Sequence, residues 1–167
     1  KMETILPKLP KLLQDILAVD KNSNKFQKKV QLLSTLTSLG SVLPQFQCVN
    51  RNQKLMSPNL YAVILGAPGS GKSKIDVGMT IMTKTEAVIK QSISTALLEP
   101  GLPSKCIVIP SNTSRQRLIQ HLHVNQSYSP NLLYSTEMDN MKSTLKDQNT
   151  GFSEELRKAF EHEKINY

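Results

Sequence analysis

The sequence predicts an α/β fold with a mostly parallel sheet, preceded by a helical extension over residues 1–58. Three apolar runs rich in β-forming residues carry the prediction: LYAVIL (60–65), CIVIP (106–110) and LLYST (132–136). Stretches of helical period separate them, and strands that alternate with helices build parallel crossovers. A glycine-rich loop, GAPGSGKS (66–73), lies between the first run and a long helical stretch.

Taken in order, Leu9 to Val19 reads as a short helix followed by the polar turn DKNSNK. Residues 25–43 read as a stronger helix. Phe26, Val30, Leu33 and Leu36 fall at helical spacing, Leu32, Leu39 and Val42 widen the stripe, and Pro44 stops it. Residues 46–58 read as polar loop. This N-terminal piece reads as an appended packing layer.

LYAVIL is continuously apolar, as a strand covered on both faces should be. After the loop, a helix is expected from Ser73 to about Glu99. Ile75, Met79, Met82, Ile89, Ile93 and Leu97 mark its inner face, and Pro100-Gly101 ends it. CIVIP is the second strand. Thr113-Ser114-Arg115-Gln116 matches a capping box and opens a helix to about His123. LLYST is the third strand. A short helix follows with Met138, Met141 and Leu145 inward, and Ser153 caps a last helix, EELRKAFEHEK.

Residues 59–167 thus read as the N-terminal part of a nucleotide-binding domain. Its sheet is unfinished, since folds of this kind have about five strands. A first residue Lys1 in place of Met fits a piece of a longer protein.

Composition narrows the class. Hydrophobic residues make up 38% and charged residues 20%, which suits a packed core rather than a disordered chain. No apolar run approaches the ~18 residues of a membrane span, and Pro7 and Pro10 interrupt the start, so a signal peptide is not expected. The formal net charge is +8. Nine basic and three acidic residues fall in 1–60, against twelve and ten in the remainder. A basic arm beside a nucleotide fold fits nucleic acid, and equally a solvated helical face. Cys48 and Cys106 are far apart and read as buried free thiols of a reducing cytosol. His121 and His123 read as structural or surface residues, and no zinc-ligand spacing occurs.

Gly66-Ala67-Pro68-Gly69-Ser70-Gly71-Lys72-Ser73 matches G-x-x-x-x-G-K-S in full. Glycines allow turns in which backbone N–H groups converge on phosphate, and the following helix directs its positive end there. Lys72 should reach the β- and γ-phosphates, and Ser73 should place its hydroxyl on Mg²⁺. The fold expectation sharpens to a P-loop NTPase, with ATP and Mg²⁺ as ligands.

Hydrolysis also needs acids at the end of a second strand, one for the metal and one for the attacking water. LLYST delivers Glu137 there, the candidate catalytic acid. Thr136 stands where Asp is usual. Asp139 has two readings, a displaced Mg²⁺ partner or a helix N-cap.

Three stretches carry a family resemblance: PNLYAVILGAPGSGKSK, IPSNTSRQRLIQHL and YSTEMDNMKSTLKDQNTGFSEELRKAFEHEKI. The chain, from about Leu32 onward, resembles a P-loop domain of unknown function. That domain occurs in primase- and helicase-type proteins of bacterial mobile elements, often after a module related to virulence-associated protein E. The resemblance implies a replication or mobilisation ATPase, helicase-like, acting on DNA as a homo-oligomer. It carries over Gly66 to Ser73 as the phosphate loop and Glu137 with Asp139 as the acidic motif. It also marks Arg157, Lys158, His162 and Glu163. The family usually ends His-His-Glu where this chain has Glu161-His162-Glu163. Arg157 and Lys158 are therefore candidate phosphate or DNA contacts. Their ordinary reading is an amphipathic helix with an apolar face of Leu156, Ala159 and Phe160 and a Glu154–Lys158 ion pair.

Three functions compete. The first is a cytoplasmic DNA-directed ATPase motor, which borrows an arginine finger from a neighbouring subunit. The second is a small-molecule or nucleotide kinase, weakened by only three arginines in 110–167. The third is a nucleotide-bound scaffold with little turnover, favoured by Thr136.

Overall fold

The computed structural model describes residues 8–43, 46–53, 55–92, 108–125, 130–136 and 151–161. They form a mixed α/β structure with five α-helices and two small sheets, one of them parallel. The chain divides into two compact units, Lys1–Leu39 with Leu60–Ile81, and Gly40–Asn59 with Met82–Tyr167.

In the first unit, α1 spans Lys11–Ala18. Pro10 adopts extended backbone ahead of it, and its carbonyl accepts from the N–H groups of Leu13 and Gln14. Leu13 and Leu17, one turn apart, are buried. Helix α2 spans Lys25–Val42. Asn24 and Gln27 open it with a reciprocal box. The Gln27 N–H donates to Asn24 Oδ1 at 3.0 Å, and the Asn24 N–H donates to Gln27 Oε1 at 2.8 Å.

The buried side of α2 differs from the leucine stripe expected. Val30 is buried, but so are Gln31, Ser34, Thr35 and Ser38, while Leu32, Leu33, Leu36 and Leu39 are only half-buried. Positions 31, 34, 35 and 38 follow helical period, so this is a continuous face of small and polar residues. Small side chains let another backbone come close, and that geometry decides the face here. Ser34 reaches the helix that follows the glycine loop: its hydroxyl donates to the Ile75 carbonyl at 2.5 Å and accepts from the Gly78 N–H at 3.1 Å.

The segment 60–65 does not form the expected buried strand. It joins no ladder, and Leu60, Tyr61, Val63 and Leu65 are all exposed, Leu65 to 79%. A strand interior to a parallel sheet would have both faces covered. The helix after the loop also starts differently. A 3₁₀ turn over Lys72–Ile75 comes first, and the α-helix proper, α3, runs over Asp76–Ser92. Met82 is fully buried on its inner side, as expected. The expected extension to Glu99 lies outside the described residues.

In the second unit, the stretch expected as loop forms a two-residue antiparallel hairpin, β1 (Cys48–Val49) with β2 (Leu55–Met56). Asn50 turns the chain by accepting the Asn52 N–H on its side chain at 2.8 Å. Cys48 is a free thiol, but an exposed one, because both hairpin strands face solvent; the expectation of burial does not hold for it. Cys106 lies outside the described residues.

The parallel sheet is β3 (Val108–Pro110) beside β4 (Leu132–Tyr134), with Ile109 opposite Leu133. Helix α4, Arg115–Asn125, follows β3. Its cap sits one residue later than expected: Ser114 Oγ accepts the Arg117 N–H at 3.4 Å, while Thr113 is buried in the turn after Pro110. Helix α5, Phe152–Glu161, starts one residue before Ser153. Gly151 holds the left-handed conformation (φ 63°) and turns Phe152 inward. Ile109, Leu118 and Phe152 form the buried core, with Leu122, Leu133 and Leu156 packed around it.

Candidate phosphate-binding site

The glycine loop curls back on itself. Gly69 (φ 73°) and Gly71 (φ 86°) both lie in the left-handed region that L side chains avoid. Between them, the Ser70 N–H closes a turn onto the Ala67 carbonyl at 3.2 Å. Lys72 then returns across the loop, its amine donating to the carbonyls of Gly66 at 2.5 Å and Ala67 at 3.2 Å. The Lys74 N–H bonds the Gly71 carbonyl at 3.2 Å and starts the 3₁₀ turn that leads into α3. Gly66, Ala67, Ser70, Gly71 and Lys72 are thus brought together by local bonds. Pro68 and Gly69 form the exposed tip, and Ser73 is exposed beyond it.

Ser70 has a side-chain oxygen that is buried and has no hydrogen-bond partner. A buried hydroxyl inside a loop of this kind is a spare donor, and burial without a partner is unfavourable. An oxyanion held by the loop would supply the acceptor. The Lys72 amine is equally suited to exchange two neutral carbonyls for a charged phosphate oxygen.

Helix α2 supports the loop from one side. Phe26 Cζ and Gln27 lie against Gly66 and Gly71 respectively. Lys74 and Asp20 form an ion pair behind it. That pair, together with Ser23, holds the Asp20 carboxyl below the usual carboxylate range. The sequence reading missed this supporting role. The Asn24-x-x-Gln27 box is legible as a helix start, but nothing local shows which residue Gln27 will meet.

The acidic motif is only partly within view. β4 ends at Tyr134, and Thr136 beyond it is exposed; Glu137 and Asp139 lie outside the described residues. Among the described residues, no group of three or more His, Cys, Asp or Glu side chains is arranged to hold a metal ion. His162 and Glu163 also lie outside them.

Arg157 and Lys158 stand on α5 and pair along it, Arg157 with Glu161 at 3.5 Å and Lys158 with Glu154 at 2.7 Å. The Glu154 bond raises the Lys158 pKa, and Lys158 in turn lowers that of Glu154. The Arg157–Glu161 pair is exposed on both sides and contributes little, whereas Lys158 is half-buried and also stands 3.9 Å from the Glu155 carboxylate. The inward side of α5 carries an acid that the expected apolar face omits: Glu155 is buried and bonds Arg115 Nη2 at 2.7 Å. His121 is half-buried, and that burial, with the nearby Arg117 charge, lowers its pKa.

In comparisons with known proteins, no family model matches the chain, and no curated protein or solved structure matches it. No helix among the described residues is long and apolar enough to cross a membrane.

Proposed function

We propose that this chain binds ATP through Gly66 to Ser73 and belongs to an ATP-hydrolysing motor of a helicase- or primase-type DNA replication or mobilisation protein. The observation that carries the reading is the closed glycine loop. Two left-handed glycines, the Lys72 amine turned across the loop and an unpartnered Ser70 hydroxyl together make a cradle of donors at the start of a helix. In this reading the domain is a P-loop NTPase. Lys72 draws charge from the β- and γ-phosphates, and the exposed Ser73 hydroxyl binds Mg²⁺, with Asp139 as a second holder. When bound, Mg²⁺ would supply charge neutralisation at the phosphates, and Glu137 is the residue that orients the attacking water. Single-stranded or forked DNA, a homo-oligomeric assembly and the cytoplasm complete the proposal. Arg157 and Lys158 are the DNA or phosphate contacts.

Thr136, uncharged and exposed, favours one second reading, a nucleotide-bound scaffold with little turnover. Phosphate release from ATP with and without single-stranded DNA separates the two. DNA-stimulated release that disappears in Lys72→Ala and Glu137→Gln supports the motor. ATP binding without release supports the scaffold. A folded Lys72→Ala protein with wild-type ATP affinity would sink both.

A further inference from the structure

Gln27 stands outside the glycine loop in sequence, yet its amide lies against Gly71 of the loop. A Cβ built on Gly71 would meet Gln27 Nε2 at 2.2 Å, Cγ at 2.7 Å and Cδ at 2.8 Å. The amide occupies the space that any side chain at position 71 would need.

The orientation of that amide is set from the other side. Gln27 Oε1 accepts the Asn24 N–H at 2.8 Å, closing the box that starts α2. An N–H cannot bond to an amide NH₂, so the oxygen must face Asn24 and Nε2 must face the loop. Among the described residues, no acceptor takes the Nε2 hydrogens. A donor pair pinned in place therefore sits beside Gly71, the residue that links Ser70, with its unpartnered hydroxyl, to Lys72.

Glu serves as well as Gln at this position of a capping box, and its charge suits a helix N-terminus better. Next to a phosphate loop, the two differ sharply. Glu would keep the bond to Asn24, remove both donors and set a negative charge against the bound anion. We propose that Gln27 is a further anion-binding residue of the loop, donating from Nε2 to the polyphosphate held around Gly71, and that its neutrality is required for that binding. This rests on the phosphate-loop reading.

The test is calorimetric titration of ATP with Mg²⁺ into the wild-type chain and its Lys72→Ala, Gln27→Glu and Gln27→Ala variants, with the Tm of each. Gln27→Glu keeps the helix cap, so its Tm should stay near wild type while ATP affinity falls more than about tenfold. Gln27→Ala loses the cap and the donors but adds no charge, so Tm falls and affinity drops by roughly threefold to tenfold. A role confined to capping α2 would lower the Tm of the Ala variant and leave ATP affinity unchanged in both. ATP affinity within twofold of wild type in either folded variant overturns the proposal while Lys72→Ala still loses binding. Failure of the wild-type chain to bind ATP overturns the phosphate-loop reading, and this proposal with it.

Discussion

Ser34 and Gly78 interlock. The Ser34 hydroxyl accepts the Gly78 N–H at 3.1 Å, and a Cβ on Gly78 would stand 2.1 Å from that hydroxyl and 2.5 Å from the Ser34 carbonyl oxygen. Gly78 lies in the first turn of α3, where N–H groups have no partner within the helix. A side chain in the middle of α2 therefore caps α3. Gly78→Ala should destabilise the chain by about 2 kcal/mol, because overpacking outweighs the gain of ~1 kcal/mol that Ala has over Gly in a helix. Ser34→Ala should cost about 1 kcal/mol, as loss of a cap does. The Ser34→Ala change should not rescue Gly78→Ala, since the carbonyl oxygen remains. Urea unfolding midpoints of the three proteins check this.

Gly71 carries a second coupling. Its φ of 86° strains any L side chain, and Gln27 fills the adjoining space. Gly71→Ala should lose about 2 kcal/mol in the wild-type background, part backbone strain and part displacement of Gln27. In a Gln27→Ala background the second part vanishes, and the loss should fall to about 1 kcal/mol. A double-mutant cycle by denaturant unfolding measures the difference; strictly additive losses would contradict the contact.

Arg115 pairs with a buried acid, Glu155, whose side chain is 3% exposed against 43% for the arginine side chain. One carboxylate oxygen, Oε2, is already without a partner. Arg115→Ala would remove the bond to the other, leaving Lys158 at 3.9 Å as the nearest cation. A loss of about 3 kcal/mol is expected. Glu155→Gln should be milder, about 1 kcal/mol, since an amide oxygen can still accept from Arg115. Thermal unfolding of both variants gives the order.

Asp20 sets a pH dependence. Its bonds to Lys74 and Ser23 lower its folded pKa below the unfolded value of 3.8. A depressed carboxylate means that the unfolded chain binds more protons in this window, so stability rises with pH. The contribution is fully present above the unfolded pKa and disappears as pH falls through the lower folded one. Asp20→Asn should therefore unfold more easily than wild type at neutral pH, with the gap closing on acidification below about pH 4. Tm measured from pH 2 to 7 for both proteins tests the sign.

Local sequence announced a good deal of this molecule. The left-handed turns at Gly69 and Gly71, the long helix from Lys25, the strands at 108–110 and 132–134 and the Glu154–Lys158 pair follow from spacing and residue type. Those features depend on neighbours in the chain or on the period of apolar residues. The polar face of α2 did not follow, because apolar period reports which oily side chains can be buried. It is silent on serines whose hydrogen bonds lie about forty residues away. The burial of Glu155 was hidden for the same reason: its partner Arg115 is on another helix. LYAVIL shows the converse, a run with strand composition that forms no ladder, since a ladder needs a neighbour as well as a propensity.

What the sequence by itself determined is the make-up of the candidate site: a glycine loop with Lys72 and Ser73, and the acids Glu137 and Asp139 downstream. Tertiary structure alone decided what stands around that loop. It turned Gln27 onto Gly71, paired Asp20 with Lys74 and set Ser34 against Gly78. These contacts join residues more than forty positions apart, and each depends on the close approach of residues 20–34 to residues 71–78. Spacing along a chain encodes turns and faces, whereas the distance between two faces is set by packing.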